Sequence, residues 1–404
     1  MNQVETIQTQ QTNRQNLNTA MLFLQVVGII AVVLGHIDCG TVQLPNPINL
    51  AFPYYSWHMP FFIFISGYFF NRTEPAGKYI LKKVKTHLLP ALLVNAVYGI
   101  FIATIKYYNL TNYGQDITLK SLFVTPFTTG YQFFINISLW FIFALFVIEV
   151  VACILDRLVR GKGDLVYLII FLIVAVYCCK ITFYDWKTYS GEYINATLRE
   201  GYLMFFFWLG VCYRRYAEKF FKKFLGLTTS VIIFGLQAYI LHDTGYNITS
   251  QARNMIIDLI TVPDGYWVAI VSPITATLFF LGIAYVLAPF LENNKLLATV
   301  GRNTKYILYY HQLIFILFAI SFGALITAGY LDIPGFDFDA LRSNNYYTTS
   351  TPWINFIIAI IAFTLPLVIG CFLKKQKWYV RAICYALLAA LVIFIFYLAS
   401  LAYV

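Results

Sequence analysis

The fold is decided by a segment that reads QVVGIIAVVLGHID from Gln25 to Asp38 and SWHMPFFIFISGYFF from Ser56 to Phe70. His36 closes the first apolar run and His58 opens the second. No Lys or Arg occurs between the two histidines. Two apolar runs with an ionisable side chain at the facing ends are typical of neighbouring transmembrane helices with polar groups at one membrane surface.

Composition extends this reading to the whole chain of 404 residues, which is 60% hydrophobic and only 11% charged, with a mean hydropathy of +0.70. A water-soluble domain carries about 25% charged residues. The sequence therefore predicts a multi-pass membrane protein, and the net charge of +10 is attributed to membrane topology rather than to nucleic-acid binding. The seven cysteines show no metal-ligand or redox spacing, so no metal is expected.

Windows of about 20 apolar residues predict an all-α transmembrane bundle, because backbone polar groups in lipid must be paired within each segment. Residues 1–19 are polar and are expected to form a flexible tail, and residues 20–404 a single transmembrane domain. Eleven spans are predicted, with ten as the fallback: 20–38, 52–70, 88–105, 133–154, 165–182, 200–214, 225–242, 267–290, 306–328, 352–373 and 382–403.

Basic residues orient these spans, because short cytoplasmic loops accumulate Lys and Arg. If the N-terminus is cytoplasmic, the loops on that side hold most of the 28 Lys and Arg residues. Each of them carries at least as many basic residues as the outer loops around it. The predicted topology therefore has a cytoplasmic N-terminus and eleven crossings.

This topology places His36 and His58 at the outer ends of adjacent antiparallel spans, where they are predicted to face one pocket. Imidazole exchanges protons near neutral pH and suits general acid–base chemistry on a hydroxyl. Asp38 could orient His36 from a turn after the helix end. The alternative is that both histidines are amphipathic residues of the membrane interface.

The topology separates His311 from this pair. His311 lies about two turns into the span at 306–328, which is predicted to start in the cytoplasm, so it is expected ~8 Å deep near the opposite face. There it is a candidate for binding at the inner half of a cavity. Glu149, near the inner end of the fourth span, could pair with the cytoplasmic Lys and Arg residues or extend toward the surface, and the second is expected.

Two cytoplasmic segments could hold an anionic cofactor. Lys82 and Lys83 precede the third span, and Arg302 and Asn303 lie at the predicted start of the ninth helix. Helix N-termini with nearby cations favour phosphate. The alternative is that the positive-inside rule alone explains these charges.

Together these segments resemble the integral-membrane acyltransferase-3 family, which includes O-antigen and capsule O-acetyltransferases and fucose-4-O-acetylase-like proteins. The resemblance spans nearly the whole chain and is carried by order and spacing. The four matching segments are Gly28 to His36, His58 to Tyr68, Leu139-Trp140-Phe141, and Val300-Gly301-Arg302-Asn303 running to His311-Gln312.

The resemblance implies transfer of an acyl group, usually acetyl from cytoplasmic acetyl-CoA, to a hydroxyl of a cell-surface or lipid-linked glycan. His36 matches the family's first-span histidine, the favoured base or acyl-carrying residue. Many members have an Arg eleven positions earlier, where this chain has Gln25. We include Gln25 among the donor-handling candidates, with Lys82, Lys83 and Arg302 as cations that could compensate.

The leading hypothesis is therefore a plasma-membrane O-acyltransferase with acyl-CoA as donor, a glycan as acceptor and glycan-synthesis proteins as potential partners. His36, His58 and Asp38 are its candidate catalytic residues. Gln25, Lys82, Lys83, Arg302, Asn303 and His311 are its candidate donor-binding residues. The alternative is a polysaccharide exporter or flippase, or another transporter, in which the histidines only line a polar path.

Overall fold

The secondary structure is helical throughout the described part of the chain. A computed structural model describes residues 2–38, 47–110, 114–130, 133–159, 162–184, 192–243, 267–342 and 351–402. Across these ranges no strand occurs. The all-α prediction is confirmed.

The α-helices are numbered here in chain order. They are α1 Asn2–Asp38, α2 His58–Tyr68, α3 Ala76–Lys83, α4 Leu89–Tyr107, α5 Leu119–Phe123, α6 Trp140–Leu158, α7 Asp164–Tyr184, α8 Glu192–Cys212, α9 Glu218–Phe224, α10 Leu227–Asp243, α11 Val268–Leu291, α12 Lys295–Thr327, α13 Phe338–Arg342, α14 Pro352–Lys374 and α15 Trp378–Ala402. Short 3₁₀ helices occupy Pro47–Leu50, Tyr54–Ser56, Thr125–Phe127 and Phe134–Leu139, and π-helical turns occupy Val84–Leu88 and Tyr213–Ala217.

Eight of the described helical segments are long and apolar enough to cross a membrane, or nine if one bent helix pair is a single span. Each of the eight overlaps one predicted window. They are Thr19–Ile37, Ala76–Tyr107, Ile135–Leu158, Asp164–Ile181, Val268–Leu291, Lys295–Thr327, Pro352–Lys374 and Trp378–Ala402. The multi-pass membrane architecture is therefore supported, whereas the count of eleven is not confirmed.

The predicted span at 52–70 is broken in the structure. A 3₁₀ helix at Tyr54–Ser56 precedes α2, which has only 11 residues. At 1.5 Å per residue α2 is about 16 Å long, roughly half the hydrocarbon thickness. Most of its residues are buried, so protein rather than lipid surrounds it.

The predicted spans 200–214 and 225–242 correspond to the bent pair. One helical segment runs over Ala196–Phe224 and the next over Leu227–Asp243, with an angle of 101° between them. The break follows from Leu225, whose extended backbone (φ −77°, ψ 125°) ends the first segment. Gly226 then donates its N–H to Thr229 Oγ1 at 2.8 Å, which caps the second.

Helix α1 also includes the backbone of residues 2–18, for which the sequence predicts a flexible tail. Their side chains lie outside the described ones. Helical backbone does not by itself measure flexibility, so the tail stays a prediction.

The chain divides into two compact units, each described here by itself. The first unit comprises Met1–Val32, Asn46–Tyr79 and Val151–Thr304. The second unit comprises Val33–Pro45, Ile80–Val150 and Lys305–Val404.

In the first unit α2 packs against α8 at backbone contact. A Cβ placed on Gly67 would lie 1.9 Å from the Phe207 carbonyl oxygen, and one on Gly210 would lie 2.1 Å from the Phe64 carbonyl oxygen. Only residues without a side chain fit these two positions. Small residues at helix crossings allow this close approach in membrane proteins.

The first unit also buries a cluster of charges, which we call the ionic cluster. Asp156 and Asp164 are each 1% exposed. Arg72 pairs with both carboxylates, at 3.0 Å from Asp156 Oδ1 and with two bonds to Asp164. Arg215 lies 2.8 Å from Asp164, and Arg157 2.5 Å from Asp156. Tight ion pairs offset the cost of burying such charges.

In the second unit the expectation for Glu149 is wrong. Its side chain is buried rather than extended to the surface, and it pairs with two cations. Lys83 Nζ lies 2.5 Å from Oε1, and His87 Nδ1 lies 2.9 Å from Oε2. The π-helical turn Val84–Leu88 begins directly after Lys83 and contains His87, and π-turns frequently occur at functional sites.

Candidate functional site

The second unit brings together two histidines that are far apart in the sequence. The rings of His36 and His311 have centroids 5.1 Å apart and planes inclined at 80°. This T-shaped arrangement places the edge of one ring against the face of the other. His36 is 8% exposed and His311 is 0% exposed, so the pair is buried.

This contact corrects the predicted position of His311 near the opposite face from His36. The prediction measured depth from residue 306, where the apolar run starts. Helix α12 begins at Lys295 instead and is kinked at Asn303, so the position of His311 does not follow from residues counted after 306. His36 lies in the last turn of α1.

Backbone carbonyls fix the tautomer of His311. Its Nδ1 lies 2.9 Å from the Ile307 carbonyl oxygen and 3.2 Å from that of Leu308. A carbonyl oxygen only accepts hydrogen bonds, so Nδ1 carries a hydrogen. In the neutral ring Nε2 then holds a lone pair and can accept a proton.

Ser138 lies next to Nε2 of the His311 ring. Its Oγ lies 3.4 Å from His311 Nε2, at the long limit for a hydrogen bond. The Ser138 backbone N–H donates to Gln312 Oε1 at 3.0 Å, and this bond holds the 3₁₀ helix Phe134–Leu139 against α12. Ser138 is 2% exposed and Gln312 1%. We call His36, His311, Ser138 and Gln312 the histidine cluster.

Sequence reasoning missed Ser138. One signal could have found it, since Ser138 directly precedes the Leu139-Trp140-Phe141 segment. Its partner Gln312 follows the candidate His311 directly in the chain. The histidine cluster thus combines two potential bases with a hydroxyl and an amide.

His58 lies in the first unit, as the first residue of α2, and is 2% exposed. Its Nδ1 faces the Tyr54 carbonyl oxygen. Its ring contacts those of Tyr55 and Trp57, with centroids 5.3 and 6.5 Å away. The pocket predicted to contain both His36 and His58 stays a prediction.

Asp38 is the last residue of α1, whereas the sequence reading placed it in a turn after the helix end. The side chain of Asp38 lies outside the described residues. Its predicted action on His36 stays a prediction.

The predicted donor-binding residues belong to both units. In the second, Lys82 is exposed, while Lys83 forms the ion pair with Glu149. In the first, Arg302 is exposed and Gln25 is half-buried.

Helix α12 begins at Lys295 but joins two helical pieces across a kink at Asn303, so Arg302 and Asn303 lie next to the start of the second piece, where the sequence predicts a helix start. Asn303 Nδ2 donates to the Thr299 carbonyl oxygen at 2.7 Å. Its backbone (φ −128°, ψ 18°) kinks the helix there. A Cβ on Gly301 would lie 3.1 Å from the Leu22 carbonyl oxygen, so this glycine allows close packing on α1. Their role with a donor stays a prediction.

Within the described ranges, no three His, Cys, Asp or Glu side chains are grouped so that they could hold a metal ion.

Comparisons with known proteins give one match. A family model described as an acyltransferase domain, that of acyltransferase-3, matches residues 18–373. The matched range contains every member of the histidine cluster and every candidate site residue named above. No curated protein and no solved structure matches the chain.

Proposed function

Because the chain belongs to the acyltransferase-3 family, and is thereby a membrane acyltransferase, we propose that it is an O-acyltransferase. It moves an acyl group, in the first instance acetyl, from acyl-CoA to a hydroxyl of a cell-surface or lipid-linked glycan. The histidine cluster is the observation that carries this proposal. A positioned base accelerates transfer to a hydroxyl, and the cluster contains two imidazoles beside the Ser138 hydroxyl.

The chemistry assigned to the cluster is general base catalysis. The imidazole of His36 takes the proton of the acceptor hydroxyl as the oxygen attacks the thioester carbonyl carbon. A C–O bond forms and the C–S bond breaks. The proton then passes from the imidazole to the leaving thiolate, which departs as the CoA thiol.

His311 supports this step by position and by its tautomer. Its Nδ1–H is held by backbone carbonyls, so the ring is fixed in orientation. The ring is in contact with His36. We assign His311 the role of positioning residue, since a fixed neighbouring ring holds the base in the orientation it needs. His58 and Asp38 remain candidates for a second acid–base group.

Topology supplies the donor side of the proposal. We propose that the N-terminus is cytoplasmic, that the chain crosses the plasma membrane up to eleven times, and that acetyl-CoA arrives from the basic cytoplasmic face. Lys82 of α3, in the second unit, and Arg302 of α12, in the first, are exposed cations, and each is a separate candidate for a phosphate contact. Gln25 stands where many family members have a cation, so donor binding depends more on such exposed cations.

The test is acyl transfer by purified protein in liposomes with labelled acetyl-CoA and acceptor glycans. His36→Ala should reduce transfer at least about 100-fold. His242→Ala is the matched control, because His242 is exposed at the end of α10 and should leave transfer unchanged. Unchanged transfer in His36→Ala would remove the catalytic assignment. Glycan movement across the bilayer without donor consumption would favour the exporter instead.

A further inference from the structure

A buried asparagine lies next to the histidine cluster. Asn136 is 3% exposed and belongs to the 3₁₀ helix Phe134–Leu139 that carries Ser138. Neither its Oδ1 nor its Nδ2 has a hydrogen-bond partner among the described residues. A buried carboxamide without partners is costly, and native proteins rarely retain one without a use for it.

The 3₁₀ helix is interrupted at Asn136 by non-helical backbone angles. Asn136 has φ −153° and ψ 60°, which departs from helical geometry within the 3₁₀ helix. Consecutive Cα atoms are 3.8 Å apart, so the Cα atoms of Asn136 and Ser138 lie within about 8 Å of each other. A ligand that contacts the histidine cluster therefore lies close to the backbone segment that carries Asn136.

Other buried asparagines use their amides on the protein itself. In the same unit Asn95 Nδ2 donates to the carbonyl oxygens of Ser121 at 3.3 Å and Leu122 at 3.1 Å. In the first unit Asn303 donates to Thr299. These amides hold backbone segments in place. Asn136 is also buried, but its carboxamide makes no such bond to the backbone of the described residues.

We propose that Asn136 binds the acceptor glycan through two adjacent hydroxyls of one sugar ring, a vicinal diol. One hydroxyl donates to Oδ1 and its neighbour accepts from Nδ2, since a carboxamide presents one acceptor and one donor side by side. The hydroxyl to be acylated, on the same sugar, lies toward His36 and His311. This inference rests on the proposed O-acyltransferase function and adds the acceptor class.

The diol assignment favours the acceptor over the donor. The ribose of CoA carries a phosphate on one of its two ring hydroxyls, so it does not offer a free diol. The pantetheine arm contains trans amides, whose N–H and C=O point in opposite directions and cannot both meet one carboxamide. A sugar ring with neighbouring hydroxyls offers both groups on one side.

The experiment uses the full chain in liposomes with acetyl-CoA and a panel of octyl glycosides of gluco, galacto, manno and fuco configuration. The best accepted glycoside is compared with its analogue lacking the hydroxyl next to the acylated one. Asn136→Leu, nearly isosteric, should raise the KM for the glycoside about tenfold or more and leave the KM for acetyl-CoA within about twofold. Wild-type protein should show a similar loss with the deoxy analogue, and Asn136→Leu should add little further loss with that analogue.

Asn95→Leu is the matched control, because it removes an amide that bonds to the backbone. It should lower the melting temperature, whereas Asn136→Leu should not, and Asn136→Asp provides a second variant that keeps the acceptor oxygen. The inference is overturned if Asn136→Leu leaves the glycoside KM unchanged, changes the acetyl-CoA KM equally, or melts as early as Asn95→Leu. If wild-type protein acylates no glycoside, the proposed function itself fails, which is a distinct result.

Discussion

The histidine cluster of the second unit and the ionic cluster of the first are both buried, yet their polar groups are used differently. In the ionic cluster Asp164 is bonded by Arg72, by Arg215 at 2.8 Å and by Tyr216 Oη at 3.2 Å. In the histidine cluster, Nδ1 of His311 is bonded to the backbone, while its Nε2 lies 3.4 Å from Ser138 Oγ.

This difference indicates that the ionic cluster stabilises the fold, whereas the histidine cluster serves catalysis. Buried charges persist when partners offset the cost of desolvation, and removing one partner is strongly destabilising. The histidine cluster instead holds two imidazoles in ring contact, of which His36 is the proposed base and His311 its positioning neighbour. We therefore expect mutations in the ionic cluster to reduce stability, and mutations in the histidine cluster to reduce activity.

The largest effect is expected for His311→Gln. Glutamine keeps a polar side chain but has no ring to hold the His36 imidazole in orientation, so acyl transfer should fall about 100-fold or more. The melting temperature in detergent should change little. The rate of acyl transfer from labelled acetyl-CoA measures this loss, with His242→Gln as the control. More than half of wild-type transfer would show that the ring contact has no part in catalysis.

A comparable effect on stability is expected for Asp164→Asn. The change leaves Arg72 and Arg215 near a neutral side chain, and breaking a buried ion pair costs about 3 kcal/mol or more. Thermal unfolding of the purified protein should show this. The control is Asp116→Asn, because Asp116 is 82% exposed in its pair with Lys106, and exposed pairs contribute about 0–1 kcal/mol. Equal melting temperatures for the two variants would contradict the structural role of the ionic cluster.

A smaller loss is expected for Gly210→Ala. The added Cβ would lie 2.1 Å from the Phe64 carbonyl oxygen, so α2 and α8 must separate. Overpacking of this kind costs about 1–3 kcal/mol. Gly235→Ala is the control, since nothing lies within 4 Å of a Cβ there and alanine favours the helix. If both variants melt at the same temperature, the close packing of α2 on α8 is wrong.

The smallest effect is expected for Ser138→Ala. A contact of 3.4 Å contributes little to the orientation of His311, so transfer should fall about tenfold or less. Single-turnover transfer with labelled acetyl-CoA measures it. A loss as large as that of His311→Gln, together with label trapped on the protein, would instead make Ser138 an acyl carrier.

Hydropathy predicted much of the fold. The eight long apolar helices each overlap a predicted window, because an apolar run of sufficient length is the main requirement for a span. The prediction of a full span at 52–70 also came from apolar composition, and the structure has the short helix α2 there. Its residues are apolar because protein buries them, and composition alone does not distinguish burial in protein from exposure to lipid.

The candidate site was predicted in part. His36 and His311 were both singled out from the sequence, but their contact was not predicted. Residues Lys295 to Lys305 extend α12 before its apolar run, with a kink at Asn303, so counting from residue 306 did not give the position of His311. Asn136 carries no sequence signal, and Ser138 has only its place directly before the Leu139-Trp140-Phe141 segment. Their relevance comes from tertiary packing of a 3₁₀ helix against α12.

The most direct measurement is a double-mutant cycle on kcat/KM for acyl transfer with His36→Ala, His311→Ala and the double variant, each checked for melting temperature. Residues that act as one catalytic unit give strongly non-additive losses. We predict that the double variant is about as impaired as His36→Ala alone. A double variant whose loss equals the product of the two single losses would contradict a joint role for these histidines.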